Sequence, residues 1–235
     1  MSALAPPSLG RRLAAEAVGS ALLLAAVVGS GIMGERLAGG NAGVALLANS
    51  LATAGALFAL ISALAPISGA HFNPAVTLSL ALRGRMSWGE VPSYLVAQCA
   101  GAMVGVVAAH TMFALPLWQW SHKARVGGAQ SFSEFVATAG LVGVLALLER
   151  RGGVGPVKTG AIVAAYVLAA YWFTASTSFA NPAVTLARAL TDTFSGIRPD
   201  GVIAFIAAQL LATVAVGGGA RLLARTASEL QAATR

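Results

Sequence analysis

The sequence predicts an all-α integral membrane protein with six transmembrane helices and two re-entrant half helices, arranged as an inverted repeat. Three observations lead there. Of 235 residues only 10% are charged against 57% hydrophobic, and the mean hydropathy is +0.77, which excludes an ordinary soluble domain. Six apolar runs approach or exceed the ~20 residues that a spanning helix needs. Two more apolar pieces, 67–82 and 176–190, are too short to cross alone, and they repeat one another.

The spans fall at 12–34, 44–66, 90–113, 132–149, 157–175 and 202–224. An even number places both termini on one side. Of the 15 Lys and Arg, ten fall on that side (Arg11, Arg12, Arg83, Arg85, Arg150, Arg151, Lys158, Arg221, Arg225, Arg235) and five on the other (Arg36, Lys123, Arg125, Arg188, Arg198). Short loops rich in Lys and Arg stay cytoplasmic, so both termini are expected in the cytoplasm and the chain in the cell inner (plasma) membrane, in contact with lipid. The formal charge of +7 arises in these loops rather than on one polar face, so no nucleic-acid partner is expected. Arg11-Arg12 before an apolar run has the look of an export signal, but the run continues to Met33 and reads as the first span. Trp88, Trp118, Trp120 and Trp172 lie near segment ends, where indole suits the interface. Cys99 stands alone, which excludes an intrachain disulfide and suits a packing thiol. Gly101 and Gly105 form a small-xxx-small pair and read as a helix contact. No metal site, cofactor or catalytic residue is expected.

Residues 68–82 and 176–190 align at an offset of 108 with nine of fifteen positions identical, both containing Asn-Pro-Ala-Val-Thr-Leu. Glu16 matches Glu134 and Gln98 matches Gln209 at similar offsets. The halves are read as 1–125 and 126–235, together one channel domain. Three spans per half is an odd number, so the second half enters the membrane inverted, and the short interrupted segments mark where solute passes. Asn is a favoured N-cap and Pro suits the first helical position, so half helices are expected at 73–82 and 181–190. Inversion brings Asn73-Pro74-Ala75 and Asn181-Pro182-Ala183 together near the midplane as the pore centre. Each helix start carries about half a positive charge, a barrier to cations and hydronium. An ionised side chain within lipid costs at least ~2.5 kcal/mol, so Glu16 and Glu134 should face inward and accept hydrogen bonds from the pore loops, with Gln98 and Gln209 nearby. His71 is expected to position its loop, His110 to be a satisfied interior histidine and His122 a loop residue.

These blocks, and Ser68-Gly69-Ala70-His71-Phe72-Asn73-Pro74-Ala75 above all, resemble the aquaporin and aquaglyceroporin family of major intrinsic proteins over nearly the whole chain. The resemblance implies an aquaporin-like bundle of six spanning and two half helices, assembled as a homotetramer with one pore per subunit. It also implies a selectivity constriction at Thr53, Ala169, Ser178 and Val184, carried over by spacing from the two asparagines. Most members have arginine where this chain has Val184. A ring of small and medium residues without that cation implies a wide channel for water, glycerol-like polyols, urea and neutral metalloid hydroxides such as arsenite. The Val184–Leu190 block is similar to a bacterial branch associated with arsenic detoxification. Arg188, one turn beyond Val184 on the same helix face, is the outer-vestibule candidate for a replacement charge, the alternatives being a basic residue in a solvated vestibule or a helix-end partner for Asp192. Inverted repeats also build ion- or proton-coupled secondary transporters, and a structural membrane protein with a closed pore would share the fold; both stand as alternatives to a passive channel.

Overall fold

The computed structural model describes residues 7–150 and 153–233. Eight helices are described: α1 (Leu9–Leu37), α2 (Ala42–Ser68), α3 (Pro74–Leu82), α4 (Val91–Met112), α5 (Gly128–Arg150), α6 (Pro156–Phe173), α7 (Pro182–Arg188) and α8 (Pro199–Ala233). Six of them, all but α3 and α7, are long and apolar enough to cross a membrane. Of the basic residues counted above, Arg151 and Arg235 lie outside the described residues, as do the side chains of Arg150 and Arg225.

Local chemistry sets the helix ends. Ser8 and Asn41 cap α1 and α2, the Asn41 side-chain oxygen Oδ1 accepting from the Gly43 and Val44 amides at 3.0 and 3.2 Å. The α1 start therefore lies three residues before the expected 12. Proline stands at the first turns of α3, α4, α6 and α7, where its missing N–H costs nothing. At the end of α2 the chain turns through Gly69 with φ +92°, a conformation that glycine adopts without strain.

The second half helix ends at Arg188, not at 190. The carbonyls of Ala189 and Leu190 accept instead from Ser121 and Gln119 of the α4–α5 connection, and Arg188 O accepts from Ile197 N at 3.1 Å. Tertiary pairing thus takes over the carbonyls that another helical turn would have used.

Helix α1 packs on α2 and α4, and α5 packs on α6 and α8; α2 against α6 joins the halves. The half helices cross over, α3 lying on α8 and α7 on α4. Close approach of α4 to α1 requires glycine, because a Cβ at Gly101 or Gly105 would overlap the carbonyl oxygens of Ala17 and Ala21. Gly105→Ala is expected to force the helices apart and destabilise the fold by about 1–3 kcal/mol, read as a lowered midpoint in detergent thermal unfolding; an unchanged midpoint would refute the tight contact.

Candidate functional site

Both predicted caps form. Asn73 and Asn181 have extended backbones, and each side-chain carbonyl accepts from its own helix, Asn73 from Ala75 N at 2.9 Å and Asn181 from Ala183 N at 3.0 Å. Their amide groups cross over. Asn73 Nδ2 donates to Ala180 O and Asn181 Nδ2 to Phe72 O, both at 2.8 Å. A carboxamide carries two N–H protons, so each asparagine keeps one more donor beside the cavity that both residues line.

The loops before the caps are irregular and strained. Ala70, Phe72, Thr177, Ser178 and Ala180 all have φ between 47° and 61°, a left-handed conformation that costs non-glycine residues roughly 1–2 kcal/mol each. Two buried carboxylates hold them in place. Glu16 accepts from Ser68 Oγ (2.6 Å), His71 N (3.0 Å), Phe72 N (2.8 Å) and Gln98 Nε2 (2.7 Å). Glu134 accepts from Phe179 N and Ala180 N, both at 2.8 Å, and from Gln209 Nε2 at 2.7 Å. Gln98 and Gln209 each also donate to the threonine of their half helix, Thr77 and Thr185, at 2.9 and 2.8 Å. His71 Nδ1 lies 3.0 Å from Thr77 Oγ1, and the ring borders the cavity. His110 is fully buried between Thr191 Oγ1 at 2.7 Å and Pro116 O at 2.8 Å.

A cavity of about 320 Å³ follows these groups through the bundle. At one end Arg83 pairs with Glu149 at 2.6 Å; at the other lie Thr53, Tyr171, Ser178, Val184 and Arg188. Aliphatic side chains such as Leu23, Val27, Leu57 and Val163 make up much of the wall between them.

Residues 4–178 match the major intrinsic protein family. The aquaglyceroporin AqpS of Rhizobium meliloti is 52% identical over 207 residues, covering 88% of this chain and 87% of that protein. The chain belongs to the major intrinsic protein family. Aquaporin TIP1-2 of Zea mays is 34% identical over 80% of this chain and 77% of its own length. The X-ray structure of the aquaglyceroporin from Plasmodium falciparum shares the fold, with a TM-score of 0.71 at 20% identity, covering 92% of this chain and 95% of that one. As a major intrinsic protein the chain is an integral membrane channel that conducts water and small solutes passively, and it is not an enzyme.

Against that family pattern two expected positions move. Ala169 is exposed on the outside of α6 and does not border the cavity. Two residues on, about 200° around the helix, Tyr171 is buried, lines the cavity and places its hydroxyl 3.2 Å from Thr53 Oγ1. An aromatic residue therefore does stand beside Thr53 at this end of the cavity.

Of the readings of Arg188, two fail. It is neither solvated nor paired with Asp192, whose carboxylate binds the His122 amide at 2.8 Å and is held below the usual carboxylate range by those His122 bonds. Instead the Arg188 side chain is 1% exposed, its Nε donates to Ser195 O, and its guanidinium lies 3.4 Å from the centre of the Phe179 ring. Ser195 is itself fixed by a 2.9 Å bond from its hydroxyl to Val27 O. Arg125, 8% exposed, donates to Ser176 O (3.1 Å), Thr177 Oγ1 (3.2 Å) and Gly196 O (2.9 Å), and so braces the second pore loop from outside. Neither Tyr171 nor Arg125 carried a sequence signal, because their partners lie 51 to 118 residues away.

Proposed function

We propose that the cavity is the pathway of a passive channel for small uncharged hydroxylated solutes: water, glycerol-like polyols, and neutral metalloid hydroxides such as arsenous acid. The pore centre is Asn73-Pro74-Ala75 with Asn181-Pro182-Ala183, and Thr53, Ser178 and Val184 form the outer constriction together with Tyr171. The observation that carries this reading is the crossed pair of asparagine caps, which leaves two amide donors on the lumen. A hydroxylated solute accepts from both while its carbon skeleton slides along the aliphatic wall. Cations meet the positive starts of both half helices. At the constriction a valine stands in place of a long cationic side chain, which favours solutes larger than water. The relative covering most of the chain, named an aquaglyceroporin, supports the same solute class.

The two halves, 1–125 and 126–235, act as inverted repeats in this reading; the crossed packing of α3 on α8 and α7 on α4 supports it. Glu16, Glu134, His71, Gln98 and Gln209 hold the pore loops. We further infer a homotetramer in the plasma membrane with both termini in the cytoplasm, supported by family resemblance and by the ten-to-five bias of Lys and Arg.

Proteoliposomes shrunk in glycerol, urea or sorbitol test the solute class by light scattering. Glycerol and urea should re-enter at least tenfold faster than in protein-free vesicles, and sorbitol should not. Glycerol uptake no faster than in empty vesicles would reject the class.

A further inference from the structure

The outer end of the cavity holds a buried cation to which no carboxylate is bonded among the described residues. Only Nε of Arg188 has a protein acceptor among the described residues, the Ser195 carbonyl, and Phe179 covers one face of the guanidinium. The two terminal nitrogens are left free, and the residue borders the cavity. More positive charge lies nearby. Arg125 also stands over Phe179, 5.2 Å from the ring centre, and Lys123 Nζ donates to Phe194 O at 2.8 Å. Every acceptor bonded to these three cations is a carbonyl or hydroxyl, so none of them is held in an ion pair. Of the acidic groups of the region, Asp192 is bonded by His122 and Glu134 by Phe179 N, Ala180 N and Gln209, while Glu35 lies within electrostatic reach of Lys123.

Burying a cation without an ionised partner is costly, and low-dielectric walls concentrate its field. Ser178 adds a second open group. Its hydroxyl is buried and has no hydrogen-bond partner, the residue borders the same cavity, and it precedes the Phe179 on which Arg188 rests. A guanidinium with two free N–H edges matches a planar oxyanion, and a free hydroxyl supplies one more donor.

We propose that Arg188 and Ser178 bind a small planar monovalent oxyanion, of the size of nitrate, in the outer half of the cavity, and that its occupancy obstructs neutral solutes. The inference rests on the cavity being the solute pathway. Arg125 and Lys123 strengthen the field without bonding the anion.

The test is glycerol uptake by proteoliposomes in potassium nitrate or potassium gluconate at equal osmolarity, gluconate being too large to reach the site. Nitrate should slow wild-type glycerol uptake at least threefold, with a saturable concentration dependence. Arg188→Gln should lose that sensitivity, and Arg188→Lys, which keeps the charge without the planar fork, should weaken it. Ser178→Ala, which removes the second donor and adds nothing to the lumen, should raise the nitrate concentration needed for inhibition at least threefold; this variant serves if Arg188→Gln does not fold. Wild-type uptake that is equal or faster in nitrate overturns the proposal, as does nitrate inhibition of wild-type strength in Ser178→Ala. Glycerol uptake absent in gluconate as well would reject the solute pathway itself, a distinct failure.

Discussion

Replacing Glu134 by glutamine is expected to lower glycerol flux at least tenfold and to lower the unfolding midpoint. The change removes no volume and leaves one carbonyl oxygen, yet it puts an NH₂ group where a second acceptor stood. Phe179 N and Ala180 N bond to different carboxylate oxygens, so one of the two amides then faces a donor. Hydrogen bonds to a charged acceptor contribute about 1.5–3 kcal/mol each, and an orphaned buried N–H costs a further 1–3. The loop cannot absorb that loss easily, because Thr177, Ser178 and Ala180 already sit at φ 61°, 49° and 47°. With the carboxylate gone, the loop should relax and carry the Ala180 carbonyl away from Asn73. Glu16→Gln should act in the same way on the first loop, where it disturbs Ser68, His71 and Phe72 together. Wild-type flux and stability in both variants would show that the carboxylates are dispensable.

Val184→Arg should cut the ratio of glycerol to water permeability at least tenfold. The valine is 6% exposed and borders the cavity beside Ser178 and Tyr171, so a longer side chain at this position has only the lumen in which to extend. It would carry a permanent charge and up to five donors. Arg188 lies one turn along the same face, buried against Phe179, so the new guanidinium cannot settle there without meeting a like charge. Water still fits past it and glycerol does not. Protein amount in the vesicles must be matched, and both permeabilities read from the same preparation. An unchanged ratio would place the constriction elsewhere in the cavity.

Most of the architecture was legible in the sequence because it rests on local rules. Spanning helices follow from apolar length, and the half helices from Asn-Pro at matching places in a repeat. Glu16 and Glu134 were found from the cost of a charge in lipid, and their bonds to the pore loops follow the expected pattern. The outer ring was harder to read. Spacing carried from the asparagines reached Ala169 instead of Tyr171, since an irregular loop separates α6 from the motif, and an error of two residues turns a helix nearly to its opposite face. Arg188 was visible as a charge beside the motif, but its burial depends on Phe179 and on the Ser195 loop folded against α1. Neither contact has a local signature. The early end of α7 has the same origin, because its last carbonyls are claimed by residues 119 and 121 of a distant connection.

The central claim is that neutral solutes diffuse passively between the crossed asparagine caps. The most direct measurement loads proteoliposomes with a pH-sensitive dye, steps the glycerol gradient over a wide concentration range, and records volume and internal pH together. A passive channel predicts an initial rate that rises in proportion to the gradient while internal pH stays constant. A rate that saturates at millimolar glycerol and moves protons in step with the solute would contradict it, and would make the protein a proton-coupled carrier.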